Sequence, residues 1–286
     1  MNNIKNNKIE LKESISLVMG NMIGAGIFML PVSLSKYGSI SIFGWIISGI
    51  MAFTLASIFR KLSKKYPGES GPFHYTEKSF GKFIGFFVIW GYWISILLVN
   101  ASLAIAVTSY STIFIKNLND PVLSLSFAVF IIISIGIINA FGIKKVGQFQ
   151  FITTILKIIP LLATIIIGFF VFNHSNFTPI NISTETNLEA LTITTALTFF
   201  AFLGIESATI PADGIKNPKS TIPKATMIGT SLTFLIYVLS SIAIIGIMSP
   251  SEIVLSNAPY ADAMGFVLGE SAKSIIAIFA IISGLG

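Results

Sequence analysis

Gly20-Asn21-Met22-Ile23-Gly24-Ala25-Gly26-Ile27-Phe28-Met29-Leu30-Pro31 is the stretch whose reading decides the fold of this chain. It lies inside an apolar segment, about 15–34, long enough to cross a bilayer. Gly20, Gly24 and Gly26 are poor helix formers, and Asn21 is polar in hydrocarbon surroundings. Glycines let the backbone leave helical geometry, which frees N–H and C=O groups. In lipid such groups must be satisfied by a cavity, an ion or a ligand. Discontinuous helices of this kind form binding sites near the bilayer midplane in secondary transporters. Close packing of small residues on a neighbouring helix is the competing account of the same glycines.

Working outward, a second apolar segment is interrupted in the same manner. Phe199-Phe200-Ala201-Phe202-Leu203-Gly204-Ile205-Glu206-Ser207-Ala208-Thr209 again sets a glycine and polar residues in an apolar run, and Pro211 and Gly214 follow. Interrupted segments in first and sixth place are what an inverted five-helix repeat predicts. Residues 20–28 resemble the first-helix signature of the amino acid–polyamine–organocation (APC) superfamily. Phe202-Leu203-Gly204-Ile205-Glu206-Ser207-Ala208, with Lys216-Asn217-Pro218-Lys219 and Ile222-Pro223 beyond it, resembles its sixth-helix signature and the loop after it. The likeness covers nearly the whole chain and is to the basic amino acid/polyamine antiporters, notably those of the arginine/agmatine type. It implies an all-α integral membrane fold, a LeuT-like inverted five-helix repeat with helices 1 and 6 broken. Residues 1–286 then form a single polytopic domain, with a first repeat over 1–173 and a partial second repeat over 190–286.

Composition points the same way. Of 286 residues, 53% are hydrophobic and 10% charged, and the mean hydropathy is +0.85. A soluble domain carries about 25% charged residues. The formal charge of +6 does not indicate nucleic acid, because the basic residues cluster in alternate short loops without interleaved aromatics. Without cysteine there is no disulfide framework, thiolate metal site or cysteine nucleophile. No cofactor or metal is expected, and no nucleophile–base pair suggests an enzyme. The polar start, with Lys5, Lys8 and Lys12, does not read as a cleavable signal.

Eight apolar segments are expected, at about 14–34, 39–60, 83–115, 121–141, 149–173, 190–212, 225–248 and 272 to the end. The third is long enough to require tilt or extension beyond the membrane. Basic residues fall mainly on one side of this topology, including Arg60, Lys61, Lys64, Lys65, Lys78, Lys82, Lys144, Lys145, Lys216, Lys219 and Lys224. The other side holds Lys36, Lys116 and Lys273. The positive-inside rule then sets the N-terminus in the cytoplasm and the protein in the cytoplasmic (inner) membrane. Pro67, Gly68, Gly71 and Pro72 mark a turn that re-enters the third segment, and His74 in this loop and His174 in a later one read as solvated. The resembled family has ten core helices, whereas this second repeat stops in its third. A fragment, a truncated gene and a partner polypeptide that supplies the rest are all open.

The candidate site follows from the breaks. A substrate carboxylate is expected on N–H groups of the Asn21, Met22, Ile23, Gly24, Ala25 and Gly26 stretch, at the N-terminal end of a half-helix. The amino group would face backbone carbonyls freed on the first and sixth helices, with Phe200 packed over the substrate and Ala201 and Gly204 beside it at the sixth-helix break. Arginine/agmatine antiporters hold tryptophan in the place of Phe200 and serines in those of Ala25 and Ala201, so polar contacts are removed here. Tyr92, Trp93 and Asn100 match cavity-lining positions by the same resemblance; belt aromatics and an interhelical asparagine bond are the plain alternative. Glu206 is the one carboxylate read within a span, where an unpaired charge costs about 2.5–3.5 kcal/mol. It is either a gating or proton-sensitive group, or a hydrogen-bonded tie between helices. Lys157 lies about 13 Å along the fifth helix from Gln148. Snorkelling toward the cytoplasmic end would explain it. The resemblance offers another role: in some APC members without sodium coupling, a fifth-helix lysine contacts the broken first helix where sodium-coupled relatives hold a cation. Lys157 is expected to contact backbone near residues 22–24 and to couple transport to protons.

These features predict a secondary transporter, permease or antiporter, of amino acids or related amines, with the bilayer and the small-molecule substrate as partners. A truncated, non-transporting membrane protein or subunit that needs a partner chain is the alternative, and a homodimer is open. A channel is disfavoured by the absence of any filter motif.

Overall fold

The computed structural model describes residues 8–67, 71–140 and 143–286. Among them every regular element is helical, and extended pairing is confined to one isolated bridge between Ile9 and Ile215. The first expected segment is two helices, α1 (Leu11–Met22) and α2 (Ala25–Ser35). Helix α3 (Ile40–Lys65) is the second segment and α5 (Lys82–Ser111) the third, with α4 (Gly71–Phe80) between them. The fourth and fifth are α6 (Pro121–Asn139) and α7 (Ile143–Phe170). Helix α8 (Asn187–Phe200) opens the sixth segment and α9 (Pro218–Ile247) is the seventh. Helices α10 (Pro250–Val254) and α11 (Pro259–Leu268) lead to α12 (Glu270–Leu285), the eighth.

Among the described residues, six stretches are long and apolar enough to cross a membrane, with α1 and α2 counted through their break. Helices α8 and α12, at 14 and 16 residues, fall short of the roughly 20 that a straight span needs. The sixth segment is short because its helix stops at Phe200 and the chain continues in turns and two 3₁₀ pieces, Ser207–Thr209 and Ala212–Gly214. The connection around Pro67 also differs from a plain turn, since α4 occupies most of it; Gly68 and Ser70 lie outside the described residues. His74 rides on α4 and is half-buried, not solvated, with its ring edge-on to Phe73 at 5.3 Å. His174 is exposed, as read. Lys5 and the side chains of Ala25, Lys144 and Lys145 are likewise not described.

Helix α3 lies along α8 and α9, and α1 lies along α9 and α7, so the first break is enclosed by these neighbours. Trp45 is fully buried at their centre, 4.9 Å from the Tyr237 ring and 5.9 Å from Phe202. Three buried threonine hydroxyls fold back on their own helices: Thr108 donates to Ala104 O at 2.8 Å, Thr164 to Pro160 O at 2.9 Å and Thr194 to Ala190 O at 2.8 Å. That pattern satisfies a polar group where lipid offers none. Helix α5 presents Phe83, Phe87, Trp90 and Leu98 outward, an apolar surface suited to hydrocarbon or to further helices.

Ahead of α1, the chain is clasped to the segment that follows the sixth. Ile9 N donates to Gly214 O at 2.9 Å, Lys216 N donates to Ile9 O at 3.0 Å, and Lys216 Nζ meets Glu10 Oε1 at 2.7 Å. The hydrogen bond and charge of Lys216 hold the Glu10 carboxyl below the usual carboxylate range. The ion pair is therefore intact above that range and is lost as acidification protonates Glu10. Both side chains are exposed, so the contact orients more than it stabilises.

The α3–α8 contact is close because Gly44 has no side chain. A Cβ there would stand 2.8 Å from Thr194 Oγ1 and 2.9 Å from the Thr194 carbonyl carbon. Since backbone cannot give way as a flexible tip can, Gly44→Leu is expected to cost about 1–3 kcal/mol or more. A lower thermal midpoint and a lower monodisperse yield in detergent, beside an unaffected Gly91→Ala control in open space, would register it.

Candidate functional site

The first break is built from ordinary backbone. Ile23 sits at φ −81°, ψ 81° and Gly24 at φ −103°, ψ −173°, so neither needs glycine for its dihedrals. What the sequence supplies here is room. A Cβ on Gly26 would meet nothing within 4 Å, and one on Gly24 would meet only the tip of Leu103 at 2.9 Å. Gly24 precedes α2, and its carbonyl takes the N–H of Ile27 at 3.3 Å. The N–H groups of Ala25 and Gly26, in the same first turn, have no acceptor within the helix.

The second break begins four residues before Gly204. After Phe200 the N–H groups of Ala201, Phe202 and Leu203 bond three residues back, at 3.0–3.2 Å, which tightens the helix end. Gly204 itself adopts φ +110°, a left-handed conformation that side chains disfavour. It also touches the first break: a Cβ would lie 3.0 Å from Asn21 Cβ and 3.1 Å from Met22 N. Glycine is thus required twice at this point, for its dihedral and for the approach of two backbones.

One side chain links both breaks. Tyr237 Oη donates to Met22 O at 2.6 Å and approaches Ala201 O at 3.2 Å, so its single proton is shared between carbonyls of the two broken segments. Lys157 reaches the same region from α7. It is fully buried, and Nζ donates to Gly20 O at 2.9 Å, two residues before the stretch expected to receive it. No carboxylate pairs with it among the described residues.

The other expected residues divide into two groups. Asn21, Gly24 and Asn100 line one cavity of about 340 Å³, with Gly20, Leu103 and Ser283. Tyr92 and Glu206 meet elsewhere, Tyr92 Oη donating to Glu206 Oε1 at 3.0 Å. Tyr92 also lines a separate apolar cavity of about 280 Å³ with His74 and Ile210. Met22 and Ile23 are buried in the core, and Ala201 is half-buried. Trp93 and Phe200 are more than half exposed, and neither lines the cavity that holds Asn100. Trp93 shares a helix face with Asn100, but that face leaves the cavity within two turns. Tyr237 was missed by sequence reading. It is a single tyrosine in the apolar run Leu235-Ile236-Tyr237-Val238, with no motif around it.

A profile of the family described as amino acid permease matches residues 9–286. The chain belongs to the amino acid permease family. Among similar proteins, the cadaverine/lysine antiporter of Escherichia coli (strain K12) is 33% identical over 276 residues, which cover 95% of this chain and 61% of that protein. The putrescine transporter PotE of Haemophilus influenzae is 32% identical over 289 residues, 99% of this chain and 65% of its own length. PotE of Escherichia coli (strain K12) is 32% identical over 291 residues, 100% and 65%. This permease-family chain therefore spans about three fifths of the length of the curated relatives it matches. The helices carrying both breaks fall within the matched region.

Removing the shared hydroxyl of this permease-family chain takes the side-chain donor from both carbonyls, and Met22 O keeps the Gly24 N–H at 3.0 Å. Tyr237→Phe keeps the ring contacts with Trp45 and Phe202 and is expected to cost about 1–3 kcal/mol. A drop in thermal midpoint that Tyr66→Phe, at the surface end of α3, does not reproduce is the measurement.

Proposed function

We propose that the two breaks form the substrate site of a secondary transporter for amino acids or related amines in the cytoplasmic membrane. The observation that carries this reading is the joining of two non-helical backbones, through Tyr237 and the Gly204–Asn21 contact, beside a cavity with polar walls. In this reading the first-turn N–H groups of α2 receive a carboxylate, and Asn21 and Asn100 bind polar atoms of the substrate. Phe200 packs over the substrate once it is bound. The inverted repeat, with halves over 1–173 and 190–286 and with α8 and α12 as two further spans, is part of the same proposal, as is a cytoplasmic N-terminus. The relatives' names, lysine with cadaverine and putrescine, support cationic amino acids and polyamines as the first substrates to try. Uptake of labelled lysine or putrescine into proteoliposomes preloaded with the other tests the reading; no uptake of either by an inserted, folded protein would overturn it.

Lys157 sets an ionisable amine against first-helix backbone, and we assign it, when protonated, the task of a coupling cation. Transport is then expected without sodium. Lys157→Ala should lower uptake at least tenfold in sodium-free buffer while insertion persists. Strict sodium dependence of the parent protein, or full sodium-free uptake by the variant, would sink the assignment.

Glu206 is assigned a gating role with Tyr92. Glu206→Gln retains an acceptor for the Tyr92 hydroxyl but removes the ionisable group. A flattened pH profile with normal yield is expected. An unchanged profile with reduced yield would leave Glu206 as a structural tie.

A further inference from the structure

A groove of about 410 Å³ opens between the C-terminal end of α3 and the N-terminal end of α9. Arg60, Lys64, Lys219 and Lys224 line it, over an apolar floor that includes Met227 and Ile228. All four basic side chains are exposed, no carboxylate lines the groove, and none of the four has an ion-pair partner among the described residues. Lys216, close by in sequence, shows the contrast, since Glu10 neutralises it. Four unpaired cations at one site repel each other, and the positive end of the 30-residue helix α9 adds to the same field. An anion relieves that repulsion.

What lies beneath the charges identifies the kind of anion. Phe53 of α3 packs edge-on against Phe234 of α9 at 5.5 Å, so the furrow between the helices is closed and greasy. From the groove, Ile228, Leu232, Leu235 and Leu239 descend α9 at alternating four- and three-residue steps, each 40–53% exposed. That row is about 16 Å long at 1.5 Å per residue, close to half of a hydrocarbon core of about 30 Å. A free phosphate would use the charges and ignore the row; a peptide or nucleic acid would not enter hydrocarbon. We propose that this groove binds the headgroup of an anionic phospholipid, whose acyl chains lie along the row from Ile228 to Leu239. Basic pockets between transmembrane helices bind lipid headgroups in this way.

The test uses the full chain purified in detergent, with fluorescent phosphatidylglycerol and phosphatidylcholine titrated separately and inorganic phosphate as competitor. Phosphatidylglycerol is expected to bind at least tenfold tighter than phosphatidylcholine. Each neutralised cation should weaken it about fivefold, so Lys219→Gln with Lys224→Gln should weaken it about 25-fold. Lys61→Gln with Lys82→Gln removes the same charge from exposed positions outside the groove and should change binding less than twofold. If the first pair loses thermal stability without lipid, Arg60→Gln with Lys64→Gln replaces it from the other wall. Equal affinity for the two lipids, equal loss in the control pair, or displacement by millimolar phosphate would each overturn the proposal.

Discussion

A broken helix in a membrane owes hydrogen bonds that lipid cannot supply, and this structure is arranged around meeting them. The two breaks meet them jointly. Tyr237 holds Met22 O and Ala201 O with one hydroxyl, and Gly204 lets the backbones touch at Asn21. Each break would be costly alone, at several kcal/mol for an unsatisfied group in hydrocarbon. Together they use one donor for two acceptors, which leaves carbonyl lone pairs and first-turn N–H groups available to a ligand. The rest of the core serves this junction: Trp45, Phe202 and Tyr237 form its aromatic wall, and α1, α3 and α9 enclose it.

Lys157 belongs to the same economy of donors. A buried ammonium without a carboxylate is expensive, and a single carbonyl at 2.9 Å compensates for little of its lost hydration. Unpaired ionisable groups held in buried places cluster at functional sites, which supports the coupling role proposed for Lys157.

Much of this was legible in the sequence, for physical reasons that differ by residue. Gly24 and Gly204 announced both breaks, because glycine inside an apolar run is a signal that survives without tertiary context. Lys157 and Glu206 stood out because charge in hydrocarbon is conspicuous. Tyr237 was invisible, since a tyrosine in an apolar helix has many uses and its partners, Met22 and Ala201, lie 215 and 36 residues away. Sequence placed Trp93 with Asn100 by helical spacing, yet only Asn100 faces the cavity, because a shared face spans a wider arc than a cavity mouth. The extent of α8 was also out of reach. Apolarity continues through Ile210, and composition does not record that the backbone has already left the helix at Phe200.

The clasp between Ile9 and Ile215 has a mechanical consequence. Two backbone hydrogen bonds and an ion pair fasten the lead-in to α1 to the strand of chain that leaves the second break. The near ends of both broken segments are thereby yoked, as two oars are by one crossbar. Whatever position the start of α1 takes, the chain that leaves the second break is set against it by the same three contacts.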